Sequence, residues 1–149
     1  MTTKNLFARL RDVLRQKKKS KAYTLQLTSD QIESMRHRLQ ELVANKKPYL
    51  QKGYHIRDLA DDLEIPMYQL SAFMNRILGI SFSDYMNRHR IIYCEELILA
   101  ELGTKMDLDD LARKCGFNNR NSFTAAFKKF TGRKPFEYIK SKHSQIRPG

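Results

Sequence analysis

The sequence lacks the features that mark membrane and secreted proteins. Its 149 residues contain no run approaching the roughly 18 apolar residues of a membrane span, and they show no signal-peptide pattern. Only two cysteines occur, Cys94 and Cys115, each in an apolar helical or turn context. This usage predicts two small buried side chains in a reducing compartment, not a disulfide. We therefore expect a cytoplasmic protein.

Residues that could carry catalysis or hold a metal are also sparse. The four histidines are dispersed without metal-ligand spacing: His37, His55, His89 and His143. The six glycines stand singly, so none belongs to a phosphate-binding loop. No serine or cysteine stands in a recognisable arrangement with a base. The sequence therefore predicts no cofactor, no metal site and no enzymatic activity, and it favours a packed or capping role for His89.

Positive charge is abundant, and it is concentrated at the two ends of the chain. Residues 1–22 carry eight basic residues against one acidic residue, and residues 113–149 carry ten against one. The middle, residues 23–112, has ten basic and 14 acidic residues, although the whole chain has a net charge of +12. Two basic ends around a mildly acidic centre predict a directed contact with a polyanion.

Residues 107–140 are the most informative stretch, and they read as helix, tight turn, helix, stop, helix. Leu108, Leu111 and Ala112 fall on one helical face, at i, i+3 and i+4. Asp107 is a predicted N-cap, and Gly116 can supply the left-handed turn that a residue with a Cβ resists. A short helix, a turn with glycine and a second helix with a basic outer face form a helix-turn-helix unit.

The second helix of this unit has the pattern of a recognition helix, which would enter a DNA major groove. Asn118 or Asn119 can cap it, Gly132 ends it, and Pro135 opens the helix that follows. Its apolar stripe is expected to face the core: Phe123, Ala126, Phe127 and Phe130.

This stretch resembles the second helix-turn-helix of AraC/XylS-type transcription regulators. The shared pattern consists of Leu111-Ala112, Gly116-Phe117, Ser122-Phe123, Ala126-Phe127, Gly132, Pro135 and Tyr138. Members of that family carry two such units, and an echo lies earlier in the chain at Leu59-Ala60, Leu70, Phe73, Gly79, Phe82 and Tyr85. The resemblance covers residues 54–142.

The first unit is the weaker match to the family. Where members often have glycine in the turn, this chain has Glu64, and Pro66 replaces a usual serine. Cys94 stands where alanine is common. Between the units, residues 81–102 keep a helical period without glycine or proline, which predicts one continuous linker helix. In the family, the two recognition helices enter successive major-groove segments about 34 Å apart.

These patterns predict an all-α protein with two helix-turn-helix subdomains, a long linker helix between them, and an extra N-terminal helix. We expect a basic amphipathic arm, an N-terminal helix with connector, an AraC-type DNA-binding domain and a tail, at residues 1–22, 23–53, 54–142 and 143–149. The domain would comprise a first unit at 55–80, a linker helix at 81–102 and a second unit at 107–140. The arm could be disordered or order only on contact, touch DNA phosphates, or lie beside a membrane in a longer protein.

Residues for DNA contact follow from the outward helical faces. Arginine suits guanine O6 and N7, asparagine suits adenine N6 and N7, and alanine can touch a thymine methyl. The predicted base contacts are Tyr68, Ser71, Ala72, Asn75, Arg120, Asn121, Thr124 and Ala125. The predicted phosphate contacts are Arg76, Ser122, Lys128, Lys129, Arg133 and Lys134.

Three of these assignments have alternatives. Arg120 could contact only phosphate or solvent, and Tyr68 could be structural. Arg90 matches a family position in the linker helix, and the resemblance implies that it is structural or lies near phosphate.

The predicted function is a sequence-specific regulator of transcription that binds double-stranded DNA through two adjacent major-groove segments. Its expected partners are double-stranded DNA, RNA polymerase if it activates, and a sensor domain or homodimer partner missing from this chain. One alternative is the DNA-binding output tail of a larger, membrane-anchored sensor on its cytoplasmic side. The other is a non-specific nucleoid-type binder, although such binding needs charge and not two matched units.

Overall fold

Every regular element that the computed structural model describes, within residues 26–146, is helical. The predicted all-α class, with two helix-turn-helix subdomains joined by a long helix, is confirmed. The amphipathic arm at residues 1–22 lies outside the described residues. In chain order, the helices are α1 (Ser29–Lys46), α2 (Ile56–Asp62), α3 (Met67–Ala72), α4 (Phe82–Ala100), α5 (Leu108–Lys114), α6 (Arg120–Thr131) and α7 (Pro135–Ile146).

Two shorter elements complete the described structure. A 3-10 turn at Pro48–Leu50 follows α1, and a π-helical segment at Phe73–Leu78 prolongs α3. The helix-turn-helix units are therefore α2 with α3, and α5 with α6. None of the helices within residues 26–146 combines the length and the apolar composition that crossing a bilayer requires.

Short polar side chains cap α1, α4, α5 and α6, because each satisfies backbone N–H groups that have no partner in the first turn. The Asp107 side chain accepts hydrogen bonds from the backbone N–H groups of Asp109 and Asp110, both at 2.9 Å. The Asn119 side chain accepts from the N–H of Ser122 at 2.8 Å, which decides between the two asparagines that could cap α6. These caps hold the two helices of the second unit at the predicted places.

The apolar side chains form two buried clusters, one under each helix-turn-helix unit. Both clusters draw on α4, since Met86 belongs to the first and Ile91 and Ile98 belong to the second. The largest fully buried aromatic side chains are Phe73 in the first cluster and Phe123 and Phe127 in the second. The 19 residues of α4 extend about 28 Å at 1.5 Å per residue. One rigid helix is therefore part of both cores.

Both cysteines are free and fully buried, as predicted. Cys94 lies on α4 and Cys115 at the end of α5, and both belong to the second cluster. A hydrogen bond with Cys115, together with burial, raises the pKa of the Cys94 thiol. A protonated, buried thiol is a packing group and a poor nucleophile.

The turns of the two units differ in their backbone strain. Gly116 has φ +84°, and a Cβ built there would lie 2.5 Å from the Tyr49 carbonyl oxygen. The turn of the first unit places Glu64 at φ +53°, in the left-handed region that favours glycine. A side chain in that region costs about 1–2 kcal/mol. The turn of the first unit therefore contains backbone strain at Glu64, whereas the second unit has glycine at its left-handed turn position.

Substitution of Gly116 by Ala should lower the free energy of unfolding by roughly 2–4 kcal/mol, because left-handed strain and a clash with backbone add together. Gly132→Ala is the matched control, since Gly132 has φ +76° but, apart from its neighbours in the chain, no heavy atom of the described residues lies within 4 Å of the added Cβ. It should lose only about 1 kcal/mol. Urea denaturation measures both, and equal losses would rule out the close packing at Gly116.

His89 lies on α4 between two tyrosine rings. The centroid of its ring is 5.6 Å from that of Tyr49, in a stacked arrangement, and 4.7 Å from that of Tyr85, edge to face. Burial, followed by the positive charge of Arg88, lowers the pKa of His89 below its ordinary value. The packed role predicted for His89 is confirmed, and the neutral imidazole is the form that fits.

Lowering the pH from 7 to 5 should decrease the free energy of unfolding. The unfolded chain binds a proton at His89 once the pH falls below about 6.5, whereas the folded chain does so only at a lower pH. Urea denaturation at several pH values should therefore show a shallower decline for His89→Gln than for the wild type. An equally steep decline in both proteins would mean that other groups cause the pH dependence.

Candidate nucleic-acid interface

The outer face of α6 presents the residues predicted to read bases in the second unit. Phe123 and Phe127 are fully buried on its inner side. On the outer side Arg120, Asn121 and Ala125 are exposed, and Thr124 is half-buried. Since all four lie in the first two turns, the N-terminal half of α6 carries the polar surface that a major groove would meet.

Two of the basic residues on α6 already have acidic neighbours within the protein. Nη1 of Arg120 lies 3.7 Å from Oδ2 of Asp109, in the first turn of α5. Nζ of Lys129 donates to Oδ1 of Asp84 at 2.7 Å, in the first turn of α4. The second pair ties the recognition helix to the linker helix, so Lys129 has a structural contact that its phosphate assignment did not include.

The other residues predicted to contact phosphate lie around the two ends of α6. Ser122 and Lys128 are exposed on the helix itself. Arg133 and Lys134 are exposed in the turn between α6 and α7, where Nη1 of Arg133 lies 3.4 Å from Oγ of Ser141. All four side chains can reach solvent next to the predicted base-reading face.

The first unit presents its predicted residues on a less regular helix. Tyr68 is 54% exposed, whereas Ser71 and Ala72 are half-buried. The α-helix ends at Ala72 and continues as a π-helical segment, in which hydrogen bonds span i to i+5. The predicted 3.6-residue period therefore does not describe where Asn75 and Arg76 lie, although both are exposed.

Asn75 uses part of its hydrogen-bonding capacity within the helix. Its Nδ2 donates to the backbone carbonyl of Ser71 at 2.8 Å. Asparagine has one amide oxygen and two N–H groups, so the remaining atoms can still meet a base edge. The sequence does not predict the π-helical segment, because over a single turn the spacing of apolar residues cannot distinguish an α-helix from a π-helix.

Arg90 joins the linker helix to the 3-10 turn at Pro48–Leu50 and to the second unit. Its Nε donates to the Tyr49 carbonyl oxygen at 2.6 Å, and its Nη1 donates to Oδ1 of Asn87 at 2.8 Å. The guanidinium also lies 5.5 Å from the ring centroid of Phe117, in the turn before α6. The geometry shows the structural role that the resemblance implied for Arg90, and a position near phosphate stays a prediction.

No group of three or more histidine, cysteine, aspartate or glutamate side chains within residues 26–146 could hold a metal ion. The described surface instead combines exposed basic and amide side chains along one recognition helix with a second, shorter helix on the same scaffold.

Residues 59–141, more than half of the chain, match the sequence profile of the family described as a helix-turn-helix domain. The chain belongs to the AraC-type helix-turn-helix family. It is similar to the HTH-type transcriptional regulator YijO of Escherichia coli strain K12, with 32% identity over 77 residues. The match covers 52% of this chain and 26% of YijO, so this AraC-type chain spans about a quarter of that relative's length.

Solved structures have the same fold. The C-terminal domain of AraT, a response regulator from Geobacillus stearothermophilus, is 25% identical with a TM-score of 0.57, and the match covers 71% of this chain and 83% of that one. The DNA-binding domain of AdpA, a global transcriptional factor solved in complex with a target DNA, is 19% identical with a TM-score of 0.59. That match covers 74% of this chain and 96% of the AdpA domain, and it shows the shared fold alone.

Exchange of Arg90 for Lys should lower the free energy of unfolding by roughly 1–3 kcal/mol. Lysine keeps the charge, but it cannot donate to Tyr49 and Asn87 at once while lying against Phe117. Arg113→Lys is the control, because Arg113 is exposed and, within residues 26–146, forms its ion pair with Asp110 three residues earlier. That exchange should change stability by well under 1 kcal/mol. Equal effects of the two exchanges in urea denaturation would contradict the joining role of Arg90.

Proposed function

We propose that this AraC-type chain binds double-stranded DNA in a sequence-specific manner and regulates transcription by reading two adjacent major-groove segments. The observation that carries the proposal is the shared helix α4, which contributes side chains to the core of both units. Two reading helices attached to one rigid helix keep a fixed separation. A protein that binds DNA only through charge gains nothing from such a separation.

The proposed division of labour follows the exposed faces. Arg120, Asn121, Thr124 and Ala125 would contact base edges from α6, and Tyr68, Ser71, Ala72 and Asn75 would do so from the first unit. Arg76, Ser122, Lys128, Lys129, Arg133 and Lys134 would contact phosphates and set the register. A base contact by Arg120 would require its guanidinium to leave Asp109. The two side chains form an exposed ion pair, which costs little to separate.

The comparisons support this proposal at the level of the family. YijO is named an HTH-type transcriptional regulator, and the AdpA domain of the same fold was solved in complex with a target DNA. If the protein activates transcription, RNA polymerase would be a further partner.

A second candidate is the DNA-binding output part of a longer regulator. The chain matches only 26% of the length of YijO, so relatives carry much sequence outside this domain. A sensor domain or a homodimer partner would then control the DNA-binding part from elsewhere, and the complete regulator could be anchored to a membrane with this part on the cytoplasmic side.

Selection of bound sequences from a random duplex pool at about 150 mM salt tests the proposal. We expect an enriched motif of two short blocks about one helical turn apart. A single block would show that the first unit does not read bases. Salt-sensitive binding without any enriched motif would overturn sequence-specific recognition.

Exchange of Arg120 for Ala should cost roughly 1–3 kcal/mol of binding free energy and relax the preference at one base pair of the motif. Lys128→Ala, on the same helix, should instead weaken binding to all sequences alike, because a phosphate contact carries no sequence information. Binding titrations on the selected duplex and on single-base variants separate the two effects. A uniform loss for Arg120→Ala would reassign that residue to phosphate.

A further inference from the structure

A groove of about 370 Å³ lies between the connector before α2 and the start of α6. The connector before α2 forms one wall, the first turns of α4 form the floor, and the turn before α6 together with the start of α6 forms the other wall. Polar side chains from all three parts reach it: Lys52, His55, Ser83, Asn87, Arg90 and Asn119. The groove therefore borders the N-terminal turn of α6, which carries Arg120 and Asn121.

No aspartate or glutamate among the described residues lines this groove. That composition is unusual for this part of the molecule, because residues 23–112 have a net negative charge. The same connector borders a second depression, which Asp58, Asp61 and Asp62 line. Lys52 borders both depressions. Acidic side chains are thus gathered on one side of the connector and absent from the groove.

Arg90 places a half-buried positive charge in the floor of the groove. Its hydrogen bonds within the described structure go to the carbonyl oxygen of Tyr49 and the amide oxygen of Asn87, both neutral. None of the ion pairs found among residues 26–146 includes Arg90. Because no carboxylate neutralises this guanidinium, its field extends into the groove.

Two helix N-termini add to this field. Ser83 lies in the first turn of α4, and Asn119 and Ser122 lie at the start of α6, and all three line the groove. The N-terminal end of a helix carries a partial positive charge that favours anions. Together with Lys52 and Arg90, the groove offers a cationic, hydrogen-bonding surface for a negatively charged group.

We propose that this groove binds backbone phosphates of the DNA strand that passes between the two recognition helices. The inference rests on the proposed function. It adds a phosphate contact that does not depend on base sequence to the base contacts of the two recognition helices. Between two major-groove segments on one face of a duplex, the backbone crosses toward the protein at the minor groove. The groove lies beside the first turn of α6, which carries Arg120, so a strand read by α6 would lead its phosphates there.

The salt dependence of binding tests the groove. With a mixed-sequence duplex of about 20 base pairs, Lys52→Ala should make the slope of log affinity against log salt shallower by about 0.9, the value for one phosphate contact. Lys105→Ala is the matched control, because it removes the same charge from an exposed position beyond the far end of α4. An unchanged slope for Lys52→Ala, or an equal change for Lys105→Ala, would overturn the inference.

Ser83→Asp provides a second variant that should fold well. Ser83 is exposed in the first turn of α4, where a carboxylate is favourable for the helix. The midpoint of urea unfolding should stay the same or rise, while affinity for the duplex at low salt should fall several-fold. Unchanged affinity would contradict a phosphate in the groove.

A free anion could occupy the same surface, and inorganic phosphate distinguishes that case. Under the proposal, NMR signals of Ser83 and Asn119 shift on addition of the duplex, and Lys52→Ala weakens duplex binding. A response to inorganic phosphate, combined with wild-type duplex affinity in Lys52→Ala, would identify a free-anion site and overturn the DNA contact. If the wild type still selects a two-block motif while both groove variants bind like it, the proposed function stands and the groove inference falls.

Discussion

The contacts of one side chain, Arg90, connect three parts of this fold: α4, the 3-10 turn at Pro48–Leu50 and the second unit. The guanidinium joins the 3-10 turn through the Tyr49 carbonyl and the second unit through the Phe117 ring. The same crowding explains Gly116, because an added Cβ would lie 3.2 Å from Nε of Arg90 and 2.5 Å from the Tyr49 oxygen. The placement of the 3-10 turn against the second unit depends on this junction.

Several acidic residues of the central region pair with basic residues nearby. Asp84 holds Lys129, and Asp109 lies beside Arg120, so acidic groups of the first turns of α4 and α5 face the recognition helix. Such exposed pairs contribute little to stability, about 0–1 kcal/mol each. Their effect is to orient long side chains in the free protein. The groove beside the start of α6 differs, because none of the described residues that line it is an aspartate or a glutamate.

The two units are unequal, and the differences have physical causes. The second unit has glycine at the strained turn position and a regular twelve-residue recognition helix. The first unit places Glu64 at positive φ and turns its recognition helix into a π-helical segment after six residues. A wider turn shifts the side chains beyond Ala72 from their expected register. The helical periodicity of the sequence therefore does not predict which side chains beyond Ala72 lie on the outward face of the first unit.

Local chemistry in the sequence determined the all-α class, the helix caps, the turn glycine and the buried stripes of α6, because these depend on residues three or four positions apart. Only the tertiary structure decided which asparagine caps α6, where α3 becomes π-helical, how Arg90 joins α4 to the 3-10 turn and the second unit, and that a groove without carboxylates among the described residues opens beside α6. Tyr49 and Arg90 are 41 residues apart, and Asp84 and Lys129 are 45 apart. No periodicity encodes such pairs, since they arise from how completed helices pack against one another.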